Sequence, residues 1–280
     1  MNNKKDYTIN VHGRLMSLGK PQVMGILNCT PDSFYAGSRK QTEGEIAQRA
    51  NQIVEEGGTI IDVGAFSTRP GAKEVSEEEE MQRLRKALPV VRKEQPDIAI
   101  SVDTYRAEVA RMVVEEYGAD IINDVSEGGL TGIVDTPLKQ EKEEYPAIFK
   151  MMGQLKVPYI LMSVQSNLQK MTFNFSKEVQ QLRDLGVKDI ILDPGFGFGK
   201  SIEDNYRILN NMELLDIFDL PLLVGVSRKR MIHQLLDVTA DEALNGTTIV
   251  NTIGLMKNAK ILRVHDVLEA VQAVKIVSAL

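Results

Sequence analysis

Short runs of apolar and β-branched residues alternate along the chain with longer stretches that have helical spacing. The runs predicted as strands are Val23–Asn28, Thr59–Val63, Ile98–Asp103, Asp120–Asp124, Pro158–Met162, Asp189–Asp193, Pro221–Gly225 and Ile261–His265. Continuous apolar runs, as opposed to alternating ones, are typical of strands buried on both faces of a parallel sheet. The pattern therefore predicts an α/β fold with a parallel sheet.

The stretches between these runs are predicted as helices, among them Glu45–Glu56, Glu77–Glu94, Arg106–Tyr117, Glu203–Asp216 and Ala243–Lys257. Val109, Val113 and Tyr117 recur every four residues, so we expect one buried face in that helix, with Arg106 largely off it. The acidic run Glu77–Glu80 is predicted to be a solvated helix start, because acids are favoured at the positive end of a helix.

The number of strand–helix units indicates the architecture of the fold. Eight units in about 250 residues match the size of a (β/α)8 TIM barrel, whereas a doubly wound sheet usually has about five or six strands. No Gly/Ser-rich linker interrupts the pattern, so residues 1–280 are predicted to be a single domain. Before the first barrel strand, Tyr7–Val11 and Arg14–Ser17 flank the turn pair His12-Gly13 and predict a short N-terminal β-hairpin that caps the barrel floor.

Composition and charge narrow the classes of function. The apolar fraction of 43% is ordinary for a globular chain, and the formal net charge of −6 argues against a general nucleic-acid binder. The single cysteine, Cys29, excludes an internal disulfide and fits a reducing cytoplasm. The polar N-terminus and the lack of a run near about 18 apolar residues argue against a signal peptide and a membrane span. We therefore expect a cytoplasmic protein.

Polar residues end every predicted strand, where barrel enzymes place their chemistry. They are Asn28, Asp62, Asp103 with Thr104, Asn123 with Asp124, Ser163, Asp193, Ser227-Arg228-Lys229, and Arg263 with His265. Burying so many polar side chains would cost folding free energy unless they lined a solvated site. The sequence therefore predicts a ligand pocket at this end of the barrel.

The ring combines two kinds of chemistry. Acceptors and an amide that suit a flat amino-heterocycle come from Asp103, Asn123 and Asp193. Donors that suit an anion come from Lys229, Arg263, His265, Arg69 and Arg228. The pocket is therefore predicted to take a neutral heterocycle attached to phosphate, while Asp62 is equally consistent with a ligand contact and with a partner behind one.

The loops after the strands add to this prediction. Thr30-Pro31-Asp32-Ser33 and Ser67-Thr68-Arg69-Pro70-Gly71 have the composition of loops that fold over a substrate, although plain connecting loops share it. The run Asp193–Lys200 matches neither phosphate-binding glycine motif, and its glycines favour close approach to a planar ligand, with Phe196 or Phe198 as an aromatic wall. Cys29 has no base nearby in sequence, and Asn28 with phosphate oxygens could hold Mg²⁺.

Eight motifs occur in an order that matches one known family. They are Met24-Gly25-Ile26-Leu27-Asn28, Thr30-Pro31-Asp32-Ser33-Phe34, Ser67-Thr68-Arg69-Pro70-Gly71, Ser101-Val102-Asp103-Thr104, Ile122-Asn123-Asp124-Val125, Leu192–Lys200, Gly225-Val226-Ser227-Arg228-Lys229 and Leu262-Arg263-Val264-His265-Asp266. In these stretches the chain resembles the dihydropteroate synthases, pterin-binding barrel transferases of folate biosynthesis and targets of sulfonamides. The resemblance implies condensation of 6-hydroxymethyl-7,8-dihydropterin diphosphate with para-aminobenzoate, with release of pyrophosphate.

The resemblance also implies roles for particular residues. The four positions implied to be catalytic are Asp103, Asp193, Lys229 and Arg263. Positions implied to bind substrate are Asn123, Met162, Gly197, Phe198, Gly225, Ser227, Arg228, Arg263 and His265, with Thr30, Pro31, Asp32, Ser33, Thr68, Arg69 and Pro70 in the two loops. Asn28 is implied to hold Mg²⁺, and the partners are implied to be the two small-molecule substrates and a second copy of the chain, through its late helices.

Two other classes of function stay open. A pterin-dependent methyltransferase of the same barrel type would keep the pterin-facing Asp and Asn residues but would not need Thr68-Arg69-Pro70 or Ser227-Arg228-Lys229, which are present. A non-catalytic paralogue is conceivable, because the chain has Ala65-Phe66 where many family members read Gly-Glu. It also has Met162-Ser163-Val164-Gln165-Ser166 where the usual pattern is Met-His-Met-x-Gly.

Overall fold

The computed structural model describes residues 5–29, 43–66, 75–129 and 145–280. The strands are β1 (Thr8–Val11), β2 (Arg14–Ser17), β3 (Gln22–Asn28), β4 (Ile60–Gly64), β5 (Ala99–Asp103), β6 (Ile121–Asp124), β7 (Tyr159–Met162), β8 (Ile190–Asp193), β9 (Leu222–Val224) and β10 (Ala259–Val264). The helices are α1 (Glu43–Glu55), α2 (Glu77–Glu94), α3 (Ala107–Glu115), α4 (Ala147–Leu155), α5 (Leu168–Asp184), α6 (Ile202–Asn210), α7 (Arg230–His233), α8 (Leu244–Met256) and α9 (Val267–Ser278). Within these ranges, every helix is too short or too polar to cross a membrane.

Strands β3 to β10 form a closed barrel in which each strand is parallel to its neighbours, and β10 pairs with β3 to complete it. Strands β1 and β2 form a separate antiparallel hairpin, in register from Thr8 opposite Ser17 to Val11 opposite Arg14. The predicted (β/α)8 TIM barrel with an N-terminal hairpin is confirmed.

A layer of apolar side chains fills the barrel next to the hairpin. Each barrel strand contributes one buried residue to this floor layer: Met24, Ile60, Ala99, Ile121, Ile160, Ile191, Leu223 and Ile261. Ile9, Val11 and Leu18 of the hairpin segment pack against it, so the predicted capping of the floor is confirmed. Because side chains alternate along a strand, residues two and four positions after each floor residue also face inward, nearer the C-terminal mouth.

One predicted helix is interrupted. The stretch Glu203–Asp216 was expected to be continuous, but α6 ends at Asn210 and a 3-10 helix follows at Met212–Phe218. Asn211 lies at the junction, and its side-chain amide donates to the Arg207 carbonyl at 2.8 Å. Asparagine favours such local backbone bonds over a helix interior, which accounts for the break.

The acidic start of α2 is only partly solvated. Ser76 accepts a hydrogen bond from the Glu79 backbone, as an N-cap should, but Glu80 is fully buried and pairs with Arg106. The prediction that Glu80 is solvated was therefore wrong, while Arg106, predicted to begin the next helix, lies just before α3 with its side chain partly buried. Glu80 precedes the buried Leu84 by four residues, and so shares the core-facing side of α2.

Candidate active site

Strand alternation brings seven of the predicted site residues to the inner face of the mouth. Two positions after the floor layer lie Asp62, Asn123, Met162, Asp193, Gly225 and Arg263, and four positions after it lie Asn28, Gly64 and Asp103. Adjacent strands align these residues, because Asn28 pairs in register with Gly64, Gly64 with Asp103, and Asp103 with Asn123. The polar groups therefore form a continuous inner surface.

Arg263 lies at the centre of this surface, with its side chain 18% exposed. Its Nε donates to Asp62 Oδ2 at 2.6 Å, and its Nη2 donates to Asp103 Oδ2 at 2.9 Å. Asp62 also accepts from Ser101 Oγ at 2.6 Å and from Asn123 Nδ2 at 3.2 Å. Asp62 is therefore the partner that orients Arg263 and Asn123, one of the two roles the sequence left open.

Two buried acceptors on neighbouring strands accept no hydrogen bond from the residues that the structure describes. They are Asp103 Oδ1 and Asn123 Oδ1. Asp62 holds the amide nitrogen of Asn123, which fixes its oxygen as the free acceptor. Since an unsatisfied buried acceptor is costly, this pair is built to receive N–H donors from a ligand.

Burial shifts the ionisation of the charged groups at the mouth. It raises the pKa of Asp103 well above the usual range, against the opposing effect of Arg263. It also raises the pKa of Asp193, opposed mainly by Lys229, and lowers the pKa of Lys229 to about 8, opposed by Asp193. A ligand that brings positive charge or N–H donors would therefore favour the ionised carboxylates.

The glycine-rich loop after β8 brings backbone and an aromatic ring to the site. Gly197 has φ +84°, and a Cβ there would lie 3.1 Å from Lys229 Cδ. Lys229 Nζ donates to the Phe196 carbonyl and lies 4.6 Å from the centre of the Phe198 ring. Phe196 itself is buried in the core around the barrel, so Phe198 is the aromatic wall of the two that the sequence offered.

An apolar cluster continues this wall. Met162 is fully buried against Phe66, Val75 and Val125, and the partly buried Phe198 packs on the same cluster. Phe66 also meets Tyr105 edge-on, with ring centres 5.8 Å apart. The aromatic ring at position 66 therefore packs into the wall.

The residues predicted at the rim are held by the protein itself. Ser227 Oγ accepts the His265 backbone N–H at 3.2 Å and lies 3.1 Å from His265 Nδ1. Arg228 binds both oxygens of Asp266, at 2.9 and 2.8 Å, and also donates to the carbonyls of Ala240 and Asp241. Arg228 was expected to be a donor for an anion, but these contacts commit most of its guanidinium to the protein.

One member of the polar ring faces away from the pocket. Asp124 follows the inward Asn123 directly, so it lies on the opposite face of β6. It accepts from the backbone and hydroxyl of Ser126, from Gly128 and from the Tyr159 hydroxyl. Its inclusion in the ligand pocket was therefore wrong, and its carboxylate shapes the turn after β6.

The buried Glu127 lies behind the wall and was not singled out from the sequence. It has φ +55° and accepts from the Val164 backbone at 3.0 Å, from Gln165 Nε2 at 3.0 Å and from Asn174 Nδ2 at 2.9 Å. Burial raises the pKa of the neighbouring Glu178 to about 9, and the Glu127 carboxylate adds to that effect. No short motif marks Glu127, since its partners come from two separate segments.

Two further predictions concern Mg²⁺ and a nucleophile. A Cβ at Gly64 would lie 3.2 Å from Asn28 Oδ1 and 3.9 Å from Asp103 Oδ2, so the missing side chain leaves a small space between two oxygens that suit Mg²⁺. Burial raises the pKa of Cys29 to about 12, which keeps its thiol protonated and supports the view that it is no nucleophile.

The loop residues stay predictions. The predicted substrate contacts at Thr30, Pro31, Asp32, Ser33, Thr68, Arg69 and Pro70 lie outside the described residues.

Comparisons with known proteins identify the family of the chain. A family profile described as pterin binding enzyme matches residues 24–265. The dihydropteroate synthase of Escherichia coli K12 is 40% identical over 275 residues, which cover 95% of this chain and 94% of that protein. The structure of Yersinia pestis dihydropteroate synthase with a sulfonamide drug complex matches with a TM-score of 0.83 and 36% identity. The structure of Xanthomonas albilineans dihydropteroate synthase with 4-aminobenzoic acid matches with a TM-score of 0.85 and 32% identity. Each match covers 98% of both chains. The chain belongs to the pterin binding enzyme family, alongside the dihydropteroate synthases.

Proposed function

We propose that the chain condenses 6-hydroxymethyl-7,8-dihydropterin diphosphate with para-aminobenzoate, giving 7,8-dihydropteroate and pyrophosphate. The observation that carries this assignment is the pair of open acceptors, Asp103 Oδ1 and Asn123 Oδ1, next to the guanidinium of Arg263. An amino-heterocycle satisfies the acceptors, and the guanidinium, which Asp62 and Asp103 hold in place through Nε and Nη2, presents positive charge to a diphosphate. The relative from Xanthomonas albilineans, whose structure contains 4-aminobenzoic acid, supports the second substrate.

The pterin lies against the inner surface of the mouth. Asp193, whose Oδ1 accepts the Gly195 backbone N–H at 2.7 Å, keeps its other oxygen available for the amino group and ring N–H of the heterocycle. Met162 and Phe198 supply the apolar face for its ring. Lys229 lies beside that face and balances the charge of Asp193.

Bond cleavage and bond formation are then electrostatic events. The methylene C–O bond breaks and its electron pair leaves with the diphosphate, while the electron-rich dihydropterin ring delocalises the cation. Ionised Asp103 and Asp193 stabilise that cation, and Arg263 and His265 stabilise the diphosphate. The aromatic amine uses its lone pair to form the C–N bond and passes one proton to solvent. No protein nucleophile takes part, consistent with the protonated Cys29 thiol.

Asn28 and the space at Gly64 fit Mg²⁺, with diphosphate oxygens and water as its remaining ligands. When bound, Mg²⁺ would supply charge neutralisation for the leaving diphosphate. We also propose that the chain works in the cytoplasm, which its single buried cysteine supports.

We further propose that the chain forms a homodimer through α8. Ile249, Ile253 and Met256 are exposed on α8 at intervals of four and three residues and form an apolar stripe along it. Such a stripe is typical of an interaction surface.

The test is pyrophosphate release from the purified chain. We expect release only when both substrates and Mg²⁺ are present, with one dihydropteroate formed per pyrophosphate. A sulfonamide should compete with para-aminobenzoate. Methyl transfer from methyltetrahydrofolate to a corrinoid protein would indicate the methyltransferase instead, and pterin binding without turnover would indicate a non-catalytic paralogue.

A further inference from the structure

Lys200, at the end of the glycine-rich loop, directs its ammonium inward at three backbone carbonyls. Its Nζ donates to Gly195 O at 2.8 Å, to Ser163 O at 3.0 Å and to Phe198 O at 3.1 Å. A lysine ammonium has three N–H donors and no acceptor, so these contacts use all of them. Lys200 therefore has no donor left for a substrate phosphate.

The contacts join the loop after β8 to the end of β7. Gly195 has φ +67°, and a Cβ there would lie 2.0 Å from Ser163 O, so the two backbones touch directly. Both carbonyl oxygens carry partial negative charge, which a shared ammonium stabilises. The Lys200 ammonium provides that positive charge, because it binds both Ser163 O and Gly195 O.

The loop held in this way presents the ligand-facing groups. It begins with Asp193, which binds the Gly195 backbone, and it contains Gly197 and Phe198 beside Lys229. Lys229 binds the Phe196 carbonyl, while Lys200 binds the carbonyls on either side of it, at Gly195 and Phe198. Two lysines thus hold one loop from different positions, and only Lys229 also borders the pocket.

We propose that Lys200 is a positioning residue for the pterin, acting through the loop 195–199 and not through contact with substrate. This role rests on the proposed function. Among charged groups, Asp193, Glu127 and Asp204 favour the ammonium form of Lys200, and Lys229 opposes it. Burial lowers the pKa of Lys200 to about 7, which agrees with an ammonium enclosed by protein.

The test compares Lys200→Met, which keeps the apolar stem and removes the donors, with wild type and with Lys188→Met at an exposed lysine. We expect Lys200→Met to weaken binding of a pterin analogue and to lower kcat/KM for the pterin diphosphate by roughly tenfold to hundredfold, as a small displacement of positioned groups would do. KM for para-aminobenzoate should change much less. Backbone amide exchange at Gly195, Gly197 and Phe198 should become faster, while exchange in α3 stays as in wild type.

Lys200→Gln, which keeps two amide donors, replaces the Met variant if that variant does not fold. We expect it to lose less pterin affinity and less kcat/KM than Lys200→Met. Pterin affinity and kcat/KM equal to wild type in either folded variant would overturn the proposal. Equal losses for both substrates with unchanged amide exchange in the loop would do the same, since they would indicate a general defect. Absence of turnover in wild type and Lys188→Met would instead refute the proposed function.

Discussion

At the scale of single residues, the mouth of the barrel keeps several carboxylates where water cannot stabilise their charge. Asp103 and Asp193 are almost completely buried, and each depends on a nearby cation, Arg263 and Lys229 respectively. Burial disfavours the charge of both carboxyls, and a ligand that donates N–H groups would favour it. Replacing one oxygen acceptor by an amide is the mildest way to measure this effect.

Asp193→Asn should weaken binding of a pterin analogue by about 1.5–3 kcal/mol, the usual worth of a hydrogen bond to a charged group. Calorimetric titration measures the difference. Asp97→Asn, at an exposed position before β5, is the matched control and should bind as wild type does. An unchanged affinity in Asp193→Asn would remove the residue from the pterin site.

Gly197→Ala should weaken pterin binding as well, because its Cβ would press on the Lys229 side chain at 3.1 Å. Gly118→Ala separates this effect from backbone strain: Gly118 also has positive φ, +63°, but nothing lies within 4 Å of its Cβ position. Both variants should lose about 1–2 kcal/mol of unfolding free energy from the left-handed conformation. Only Gly197→Ala should lose pterin affinity, and equal affinities in the two variants would contradict the argument.

Residues at the mouth could be predicted from the sequence because a strand end fixes their position and alternation fixes their face. The same alternation explains the error at Asp124, which is adjacent to an inward residue and therefore faces outward. Contacts between distant segments carry no such signal. Glu127 meets Gln165 and Asn174 only because the fold brings the ends of β6 and β7 together, and short-range spacing does not reveal that contact.

At the scale of elements, buried ion pairs connect neighbouring helices and strands. Glu80 of α2 pairs with Arg106, the residue before α3. The Arg106 guanidinium also donates to Val75 O at 2.7 Å and lies 4.9 Å from the centre of the Tyr105 ring. These contacts tie the start of α2 to the end of β5. The strands themselves were predicted to within about two residues. The pair was not predicted, because the acidic run was interpreted as a whole, although its last member has helical spacing to the buried Leu84.

Arg106→Met should reduce the free energy of unfolding by about 3–5 kcal/mol, since it leaves the Glu80 carboxylate buried without its cation. Arg111→Met is the matched control in the same region, because Arg111 pairs with Glu108 on the exposed surface of α3. Arg111→Met should reduce the free energy of unfolding by about 0–1 kcal/mol. Urea unfolding measures both, and similar losses would show that the Glu80–Arg106 pair is weakly coupled.

Helix α5 carries a pH-dependent contribution to stability. The pKa of Glu178, raised to about 9, lies above its unfolded value, so the folded state holds a proton that the unfolded state releases. Stability should therefore be full below about pH 4.5 and fall as the pH rises toward 9, by at most about 1.4 kcal/mol per pH unit for one proton. Glu178→Gln should flatten that fall in urea titrations at several pH values, whereas Glu203→Gln, at an exposed position on α6, should not.

At the scale of the whole molecule, the proposed dimer predicts a selective effect of surface charge. Ile249→Lys on α8 should shift the protein toward monomer in sedimentation experiments, because a buried lysine at the interface would lack a partner. Phe173→Lys on α5 is the control, since Phe173 is even more exposed and lies outside the stripe. Retention of the dimer in Ile249→Lys, or its loss in both variants, would place the interface elsewhere.

The floor layer leaves the barrel interior accessible from one end only. Eight apolar side chains and the hairpin seal one end, so everything that reacts must arrive and depart at the other. In the proposed function the pterin binds deepest, beside Arg263 and Asn123, so a molecule that binds at the rim after it should block its exit. The ligand that binds second should therefore dissociate first. A molecule in the aminobenzoate position should retain the pterin beneath it, and the release of a labelled pterin should slow in proportion to the occupancy of the rim.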